Sequence, residues 1–121
     1  MEMIKQNSKN SDFIKVVEHK DLASGRWAEM PFAKQMANIG SEVSRSINNV
    51  NKEKRFKVSY NRALELFDLT IDVAKAQKLT SRIKEVELAK LEFIDYFNDK
   101  KLNTDAAKMQ NYYDQFAYLA I

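Results

Sequence analysis

Apolar residues recur at three- and four-residue steps along most of this chain, which is the spacing of amphipathic α-helices. The first long series is Phe32, Met36, Ile39, Val43, Ile47 and Val50. Glycine and proline are the strongest local breakers of helices, and neither occurs after Gly40. The pattern therefore predicts an all-α fold.

Four long helices are predicted between residue 30 and the end of the chain. They run from about Pro31 to Asn51, from Lys57 to Ala76, from Thr80 or Ser81 to Asn98, and from Thr104 onward. Proline suits a first helical position, and threonine or serine hydroxyls would cap the third and fourth helices. Because only a few residues connect each helix to the next, we expect an antiparallel up-down four-helix bundle.

One domain is expected from a chain of 121 residues. The bundle occupies residues 30–121, preceded by a flexible polar leader over residues 1–11 and a short N-terminal arm over residues 12–29. The pattern leaves open whether the arm is a short helix or an extended segment.

The residues of the first two predicted helices indicate how these helices pack. Ala33, Ala37 and Gly40 lie beside the apolar stripe of the first helix, and these small residues predict that another helix crosses closely there. The apolar positions of the second helix cover more than half of its circumference. That helix therefore needs neighbours on two sides or a partner subunit.

The third and fourth helices also carry broad apolar faces. Leu88 and Leu91 are predicted to widen the core face of the third helix. The apolar face of the fourth helix consists of Met109, Tyr112, Tyr113, Phe116, Leu119 and Ala120. Tyrosine-rich faces are common at interfaces, so this face is predicted to be core, with a subunit interface as the alternative.

Composition and charge exclude several classes of protein. The chain has no cysteine, which excludes disulfides, thiolate metal sites and cysteine nucleophiles. No apolar run is long enough to span a bilayer, and the start lacks the apolar region of a signal peptide. We therefore expect a cytoplasmic protein with no membrane contact. The net charge of +3 is compatible with nucleic acid and with an ordinary soluble protein.

Candidate catalytic chemistry is sparse. His19 is the one histidine and lies in the arm, where it is poorly held for general base catalysis. A zinc site is not expected without a second histidine or a cysteine, and no Glu-x-x-His pair for a di-metal centre occurs. No glycine-rich phosphate loop is present. The sequence thus predicts a protein that is not an enzyme and that holds neither a metal nor another cofactor.

Lys90 falls in the middle of the apolar arc of the third helix. An ammonium there must be paired or must reach water along its aliphatic stem. Glu42 borders the stripe of the first helix and is a candidate partner. The alternative is a polar element that specifies the register of an oligomer.

Basic residues cluster in the first and third connections between helices. They are Lys52, Lys54, Arg55, Lys57, Lys100 and Lys101. An up-down bundle brings these connections to one end, where Glu53 and Asp99 would dilute the charge. Such a patch could contact roughly four to six phosphates, although basic connections are often merely solvated. Phe56 could stack on a base or anchor the core at the start of the second helix.

Three segments carry a resemblance. WAEMPFAKQMANIGSEVSRSI, NRALELFDLTI and FIDYF resemble a group of short, uncharacterised bacterial helical proteins, which implies no established activity. In size, charge and bundle plan the chain is also similar to the four-helix accessory proteins of diversity-generating retroelements and to ribosomal intervening-sequence proteins. That similarity implies a basic oligomer that binds nucleic acid without cutting it.

Two functions are therefore predicted. The first is a non-enzymatic oligomeric module, self-associating through its second or fourth helix, that binds nucleic acid through the basic connections. The alternative is a protein-protein interaction module without nucleic-acid contact, such as one half of a small two-component or toxin-antitoxin-like system.

Overall fold

The computed structural model describes residues 25–120, and the all-α prediction is confirmed because this part of the chain contains helices and turns but no strand. The helices are α1 (Phe32–Asn48), α2 (Glu53–Ala76), α3 (Thr80–Phe97) and α4 (Ala106–Leu119). Residues 25–29, the last part of the predicted arm, are also helical. The predicted leader, the rest of the arm with His19, and Ile121 lie outside the described residues.

The start of α2 differs from the prediction. The helix begins at Glu53 rather than at Lys57, and the backbone N–H of Phe56 donates to the carbonyl of Lys52 at 2.8 Å. The Phe56 ring packs against Phe97 on α3, with 5.0 Å between ring centroids. The contact of this partly buried ring with α3 accounts for the additional turn of helix, since most helical stability comes from tertiary packing of an apolar face.

The predicted hydroxyl caps are wrong at both later helices. Leu79 precedes α3, and no side chain caps that helix. Asp105 caps α4, and its carboxylate accepts a hydrogen bond from the Lys108 backbone N–H at 2.7 Å. The Thr104 hydroxyl instead donates to Glu92 at 3.3 Å. A carboxylate is the stronger acceptor for a helix N–H, so Asp105 takes the position predicted for Thr104.

All four helices contribute to one central core. Its buried members are Met36, Ile39 and Val43 of α1, Ala63, Phe67 and Ile71 of α2, Val86, Ala89 and Phe93 of α3, and Met109 and Tyr113 of α4. Burying each of the larger side chains contributes about 1.5–3 kcal/mol relative to exposure. The predicted periodicity of the helices is thus realised as a shared apolar interior.

The wide apolar arc of α2 is covered within this chain. One side of α2 packs against α1 and another against α3. Near its end, Leu69 and Val73 contact Trp27 from the segment that precedes α1. The indole N–H of Trp27 donates to the Thr70 hydroxyl at 2.8 Å. The expected neighbours on two sides are therefore present.

Three contacts define which helix ends lie together. The hydroxyls of Ser46, near the end of α1, and Ser59, in α2, are 3.2 Å apart. Phe56 near the start of α2 contacts Phe97 at the end of α3. Phe32 at the start of α1 meets Phe116 near the end of α4, with 5.7 Å between ring centroids. Each contact joins the early part of one helix to the late part of another.

Several predicted core positions are exposed. Leu88 and Leu91 of α3 and Leu119 of α4 are more than half exposed, because α3 packs on α2 through Val86 and Phe93 instead. Val50 is also exposed, since α1 ends at Asn48 and Val50 lies in the turn that follows. Within residues 25–120, none of the helices has both the length and the apolar character needed to cross a bilayer.

The predicted close crossing at Gly40 is confirmed. A Cβ added at Gly40 would lie 2.6 Å from the Cβ of Tyr113 on α4, a distance too short for two non-bonded carbon atoms unless one of them moves. Glycine at this position lets the two helices approach, which explains why a residue that costs about 1 kcal/mol against alanine in a helix interior is present.

Gly40→Ala should therefore destabilise the protein. The gain of about 1 kcal/mol in helix propensity is outweighed because the added methyl group forces α1 and α4 apart, and overpacking of this kind costs about 1–3 kcal/mol. We expect a net loss in the free energy of unfolding, measured by urea titration.

Gly25→Ala is the matched control, because an added Cβ there meets nothing within 4 Å. That variant should be neutral or slightly more stable than the wild type. A Gly40→Ala protein with raised stability would contradict the close crossing.

Candidate functional site

The six basic residues singled out in the sequence are all exposed. Lys52 directly precedes α2, and Lys54, Arg55 and Lys57 lie in its first two turns. Lys100 and Lys101 lie between α3 and α4. Three of the four cations assigned to the first connection are thus on a helix, which corrects the prediction of a loop.

Aromatic contacts bring the two cationic segments to the same end of the α2–α3 pair. Phe56 and Tyr60 of α2 contact Phe97 of α3, with ring centroids 5.0 Å and 5.9 Å away. The Asn98 amide also donates to the Tyr60 hydroxyl at 3.4 Å. We call this region the basic end, defined by Lys52, Lys54, Arg55, Lys57, Lys100 and Lys101.

Asp95 holds the backbone of the second cationic segment. This residue is buried, and its carboxylate oxygens accept hydrogen bonds from the backbone N–H groups of Lys101 and Leu102, both at 2.9 Å. The N–H of Lys100 donates to the Asp95 carbonyl at 2.8 Å. These bonds support the left-handed conformation of Lys100, whose φ is 53°, and they fix where its side chain begins.

The basic end carries a clear excess of positive charge. Its six cations face two exposed carboxylates, Glu53 and Asp99, which leaves a net charge of +4 among these exposed side chains. The Glu53 carboxylate is 3.7 Å from the Lys57 ammonium, an exposed pair that binds weakly. The Lys100 ammonium lies 5.7 Å from the centroid of the Tyr96 ring.

Lys90 is paired, but with a different partner from the predicted one. Its ammonium lies 2.7 Å from the Asp68 carboxylate, and the two side chains are 31% and 52% exposed. The bond joins α3 to α2. It lies beside the contact between Phe67 and Phe93, because Asp68 directly follows Phe67 in the sequence. Such a partly exposed pair contributes at most about 1 kcal/mol.

Glu42, the predicted partner of Lys90, is buried against arginines. One of its carboxylate oxygens lies 2.7 Å from Arg45 and 3.9 Å from Arg62. The other oxygen is buried and has no hydrogen-bond partner within residues 25–120. Glu42 therefore neutralises part of the charge of these two arginines.

A cleft between α3 and α4 was not foreseen in the sequence. It has a volume of about 310 Å³ and is lined by Ala89, Glu92, Leu102, Asn103, Thr104, Lys108, Met109, Tyr112 and Tyr113. The Tyr112 hydroxyl donates to the Glu85 carboxylate at 2.6 Å. The spacing of Tyr112 and Tyr113 in the sequence places both on the apolar face of α4. The cleft itself forms only when α3 and α4 pack in the tertiary structure.

The two tyrosines of the cleft resist ionisation. Burial raises the pKa of Tyr112 well above its usual value, and the hydrogen bond and negative charge of Glu85 raise it further. Burial also raises the pKa of Tyr113, with a smaller contribution from the charge of Glu92. Both phenols therefore stay protonated to a higher pH than an exposed tyrosine does, and the Tyr112 hydroxyl donates its hydrogen bond to Glu85 in this form.

Over residues 25–120, no group of three or more histidine, cysteine, aspartate or glutamate side chains is placed to hold a metal ion. His19 lies outside this range.

Comparisons with protein-family models, curated proteins and solved structures found no match for this chain. They neither support nor contradict the resemblance to short bacterial helical proteins or the similarity to retroelement accessory and intervening-sequence proteins. Both remain predictions.

Tyr112→Phe should make the fold less sensitive to alkaline pH. The folded-state pKa of Tyr112 is raised above its usual 10.0, so the folded state holds this proton more tightly than the unfolded chain does. The contribution of this proton to the free energy of unfolding is fully present below pH 10.0 and is lost as the pH rises above that value. Urea unfolding at about pH 8 and about pH 11 should therefore show a smaller loss of stability in the variant than in the wild type.

Tyr118→Phe controls for removal of a phenol from the same helix, since the Tyr118 side chain is 80% exposed. Equal alkaline losses in Tyr112→Phe and in the wild type would contradict the effect attributed to burial and Glu85.

Proposed function

We propose that this protein is a non-enzymatic helical-bundle module that binds nucleic acid through the basic end. The observation that carries the proposal is the meeting of two separate cationic segments at one end of the α2–α3 pair. Neutralising phosphates with lysine and arginine releases condensed counterions, and this release supplies most of the affinity in sequence-independent binding. A net charge of +4 among the exposed side chains of this region is suited to that role.

We further propose that the four helices form an antiparallel up-down bundle. Contacts between Ser46 and Ser59 and between Phe56 and Phe97 support this arrangement for the first three helices. The meeting of Phe32 with Phe116 supports it for α1 and α4. In such a bundle the first and third connections share one end, so the scaffold itself concentrates the cations.

The cations of the basic end are carried on an ordered backbone. Lys54, Arg55 and Lys57 lie on a regular helix, and Asp95 holds the backbone of Lys101 through its carboxylate. Side chains on an ordered backbone lose less conformational freedom on binding than side chains on a disordered segment. The ordered backbone therefore favours binding to phosphates.

Reversing two charges at the basic end tests the proposal. The double variant Lys54→Glu with Lys101→Glu removes one cation from each segment and introduces repulsion. At about 50 mM salt we expect its affinity for a labelled oligonucleotide to fall roughly 100-fold, because each lost phosphate contact forfeits close to one released counterion. Fluorescence anisotropy measures the change.

Lys34→Glu with Lys84→Glu is the matched control. Both lysines are exposed and lie near the starts of α1 and α3, whereas the basic end adjoins the other ends of these helices. The control changes the net charge equally and should retain most of the wild-type affinity. Equal losses in the two double variants would show that overall charge, rather than the basic end, governs binding.

A second candidate function is protein-protein interaction, beginning with self-association. Leu88 and Leu91 are three residues apart on α3, lie on one face of that helix, and are both more than half exposed. Tyr118 and Leu119 are exposed near the end of α4. Exposed apolar side chains that group together mark contact surfaces more often than scattered ones do.

Leu88→Ser with Leu91→Ser should shift the protein to monomer if α3 forms a contact between two copies. Sedimentation velocity of the wild type, this variant and the control Leu102→Ser measures the effect, since Leu102 is an exposed leucine outside the α3 face. A monomeric wild type at high concentration would remove self-association from consideration.

A further inference from the structure

We infer that the basic end prefers double-stranded over single-stranded nucleic acid and reads no sequence. This inference rests on the proposed function and names the class of nucleic acid that the site takes. It follows from which side chains at the basic end are available to a ligand and which are already engaged inside the protein.

The aromatic rings around the basic end are occupied by one another. Phe56 contacts Tyr60 and Phe97, at 5.3 Å and 5.0 Å between centroids. Tyr60 stacks on Phe93 at 5.1 Å, and Tyr96 meets Phe97 edge to face at 4.9 Å. Each of these rings is buried or partly buried.

Unpaired bases of a single strand can add stacking on aromatic side chains to the attraction between phosphates and cations, and this stacking is worth roughly tenfold or more for each stacked base. Phe56 is the ring that the sequence predicts as a candidate for stacking on a base. In the structure it packs against Phe97, between α2 and α3. Tyr96 is covered in part by the ammonium of Lys100, 5.7 Å from its centroid. The interaction that the basic end makes available to a nucleic acid is therefore the attraction between its cations and phosphate groups.

Attraction to phosphate alone favours a duplex. A duplex carries more charge per unit length than a single strand, and each phosphate contact releases about 0.9 counterions from B-form DNA against about 0.7 from a single strand. For roughly four to six contacts, this difference amounts to about tenfold tighter binding of duplex at about 50 mM salt.

The types of basic residue at the basic end also argue against recognition of a particular base sequence. Five of the six cations are lysines, and Arg55 is the one arginine. Contacts to guanine are the commonest specific contacts in the major groove, and the planar guanidinium of arginine fits their bidentate geometry, whereas lysine binds phosphate as a point charge. The lysines of the basic end therefore suit contact with the sugar-phosphate backbone.

Anisotropy titrations with three labelled probes test the inference on the full chain. The probes are a blunt DNA duplex of about 20 base pairs, one strand of that duplex, and a second duplex of unrelated sequence. We expect the duplex to bind roughly tenfold more tightly than the strand at about 50 mM salt. The two duplexes should bind equally. The slope of log K against log salt should be about −4 to −5 on duplex and shallower on the strand.

Tighter binding of the strand, or clearly unequal binding of the two duplexes, would overturn the inference while leaving nucleic-acid binding in place. Failure to bind any probe would overturn the proposed function as well. Vesicles of anionic phospholipid form a further arm, because Val50, Val58 and Leu102 are exposed near these cations. Binding to vesicles but to no duplex would likewise overturn both.

Phe56→Leu separates stacking from charge. The substitution retains an apolar side chain that can fill the position against Phe97, and circular dichroism verifies that the variant is folded. We expect unchanged affinity for both strand and duplex. A selective loss of single-strand affinity would show that Phe56 leaves its contact with Phe97 to stack on bases and would overturn the inference. The comparison of wild-type strand and duplex binding stands whether or not this variant folds.

Discussion

Aromatic packing between α2 and α3 is the interaction on which the arrangement of the charged surface depends. Phe56, Tyr60 and Phe67 of α2 contact Phe93 and Phe97 of α3 at 5.0–5.9 Å between centroids. Edge-to-face and offset pairs contribute about 0.5–1.5 kcal/mol each beyond simple burial. Their main consequence is register, because sliding one helix along the other would separate every pair.

That register has two effects at the basic end. It places the first turns of α2 beside the end of α3, so that cations far apart in the sequence share one surface. It also engages the nearby, partly buried rings in contacts with one another. Clustered charge and mutually packed rings thus have the same origin, and together they favour phosphate over bases as the group recognised.

The contact between α1 and α4 shapes the other side of the molecule. Gly40 allows the backbone of α1 to approach Tyr113 closely, and α4 is held mainly by this pairing with α1. Tyr113 also lines the cleft between α3 and α4. Because α4 packs tightly on one neighbour, a space remains toward the other, where burial and, to a smaller extent, the charges of Glu85 and Glu92 raise the pKa values of the two tyrosines.

The sequence by itself determined that the chain is helical, where most of the helices lie, and that Gly40 marks a close crossing. These properties follow from periodicity and residue size, which are local. Only the tertiary structure decided that Phe56 extends α2 backward, that Lys90 pairs with Asp68 rather than Glu42, and that Leu88 and Leu91 face outward. Each of these three outcomes depends on which helix packs against the residue. The spacing of apolar and charged residues along the sequence is the same whichever helix that is, so the sequence alone does not specify it.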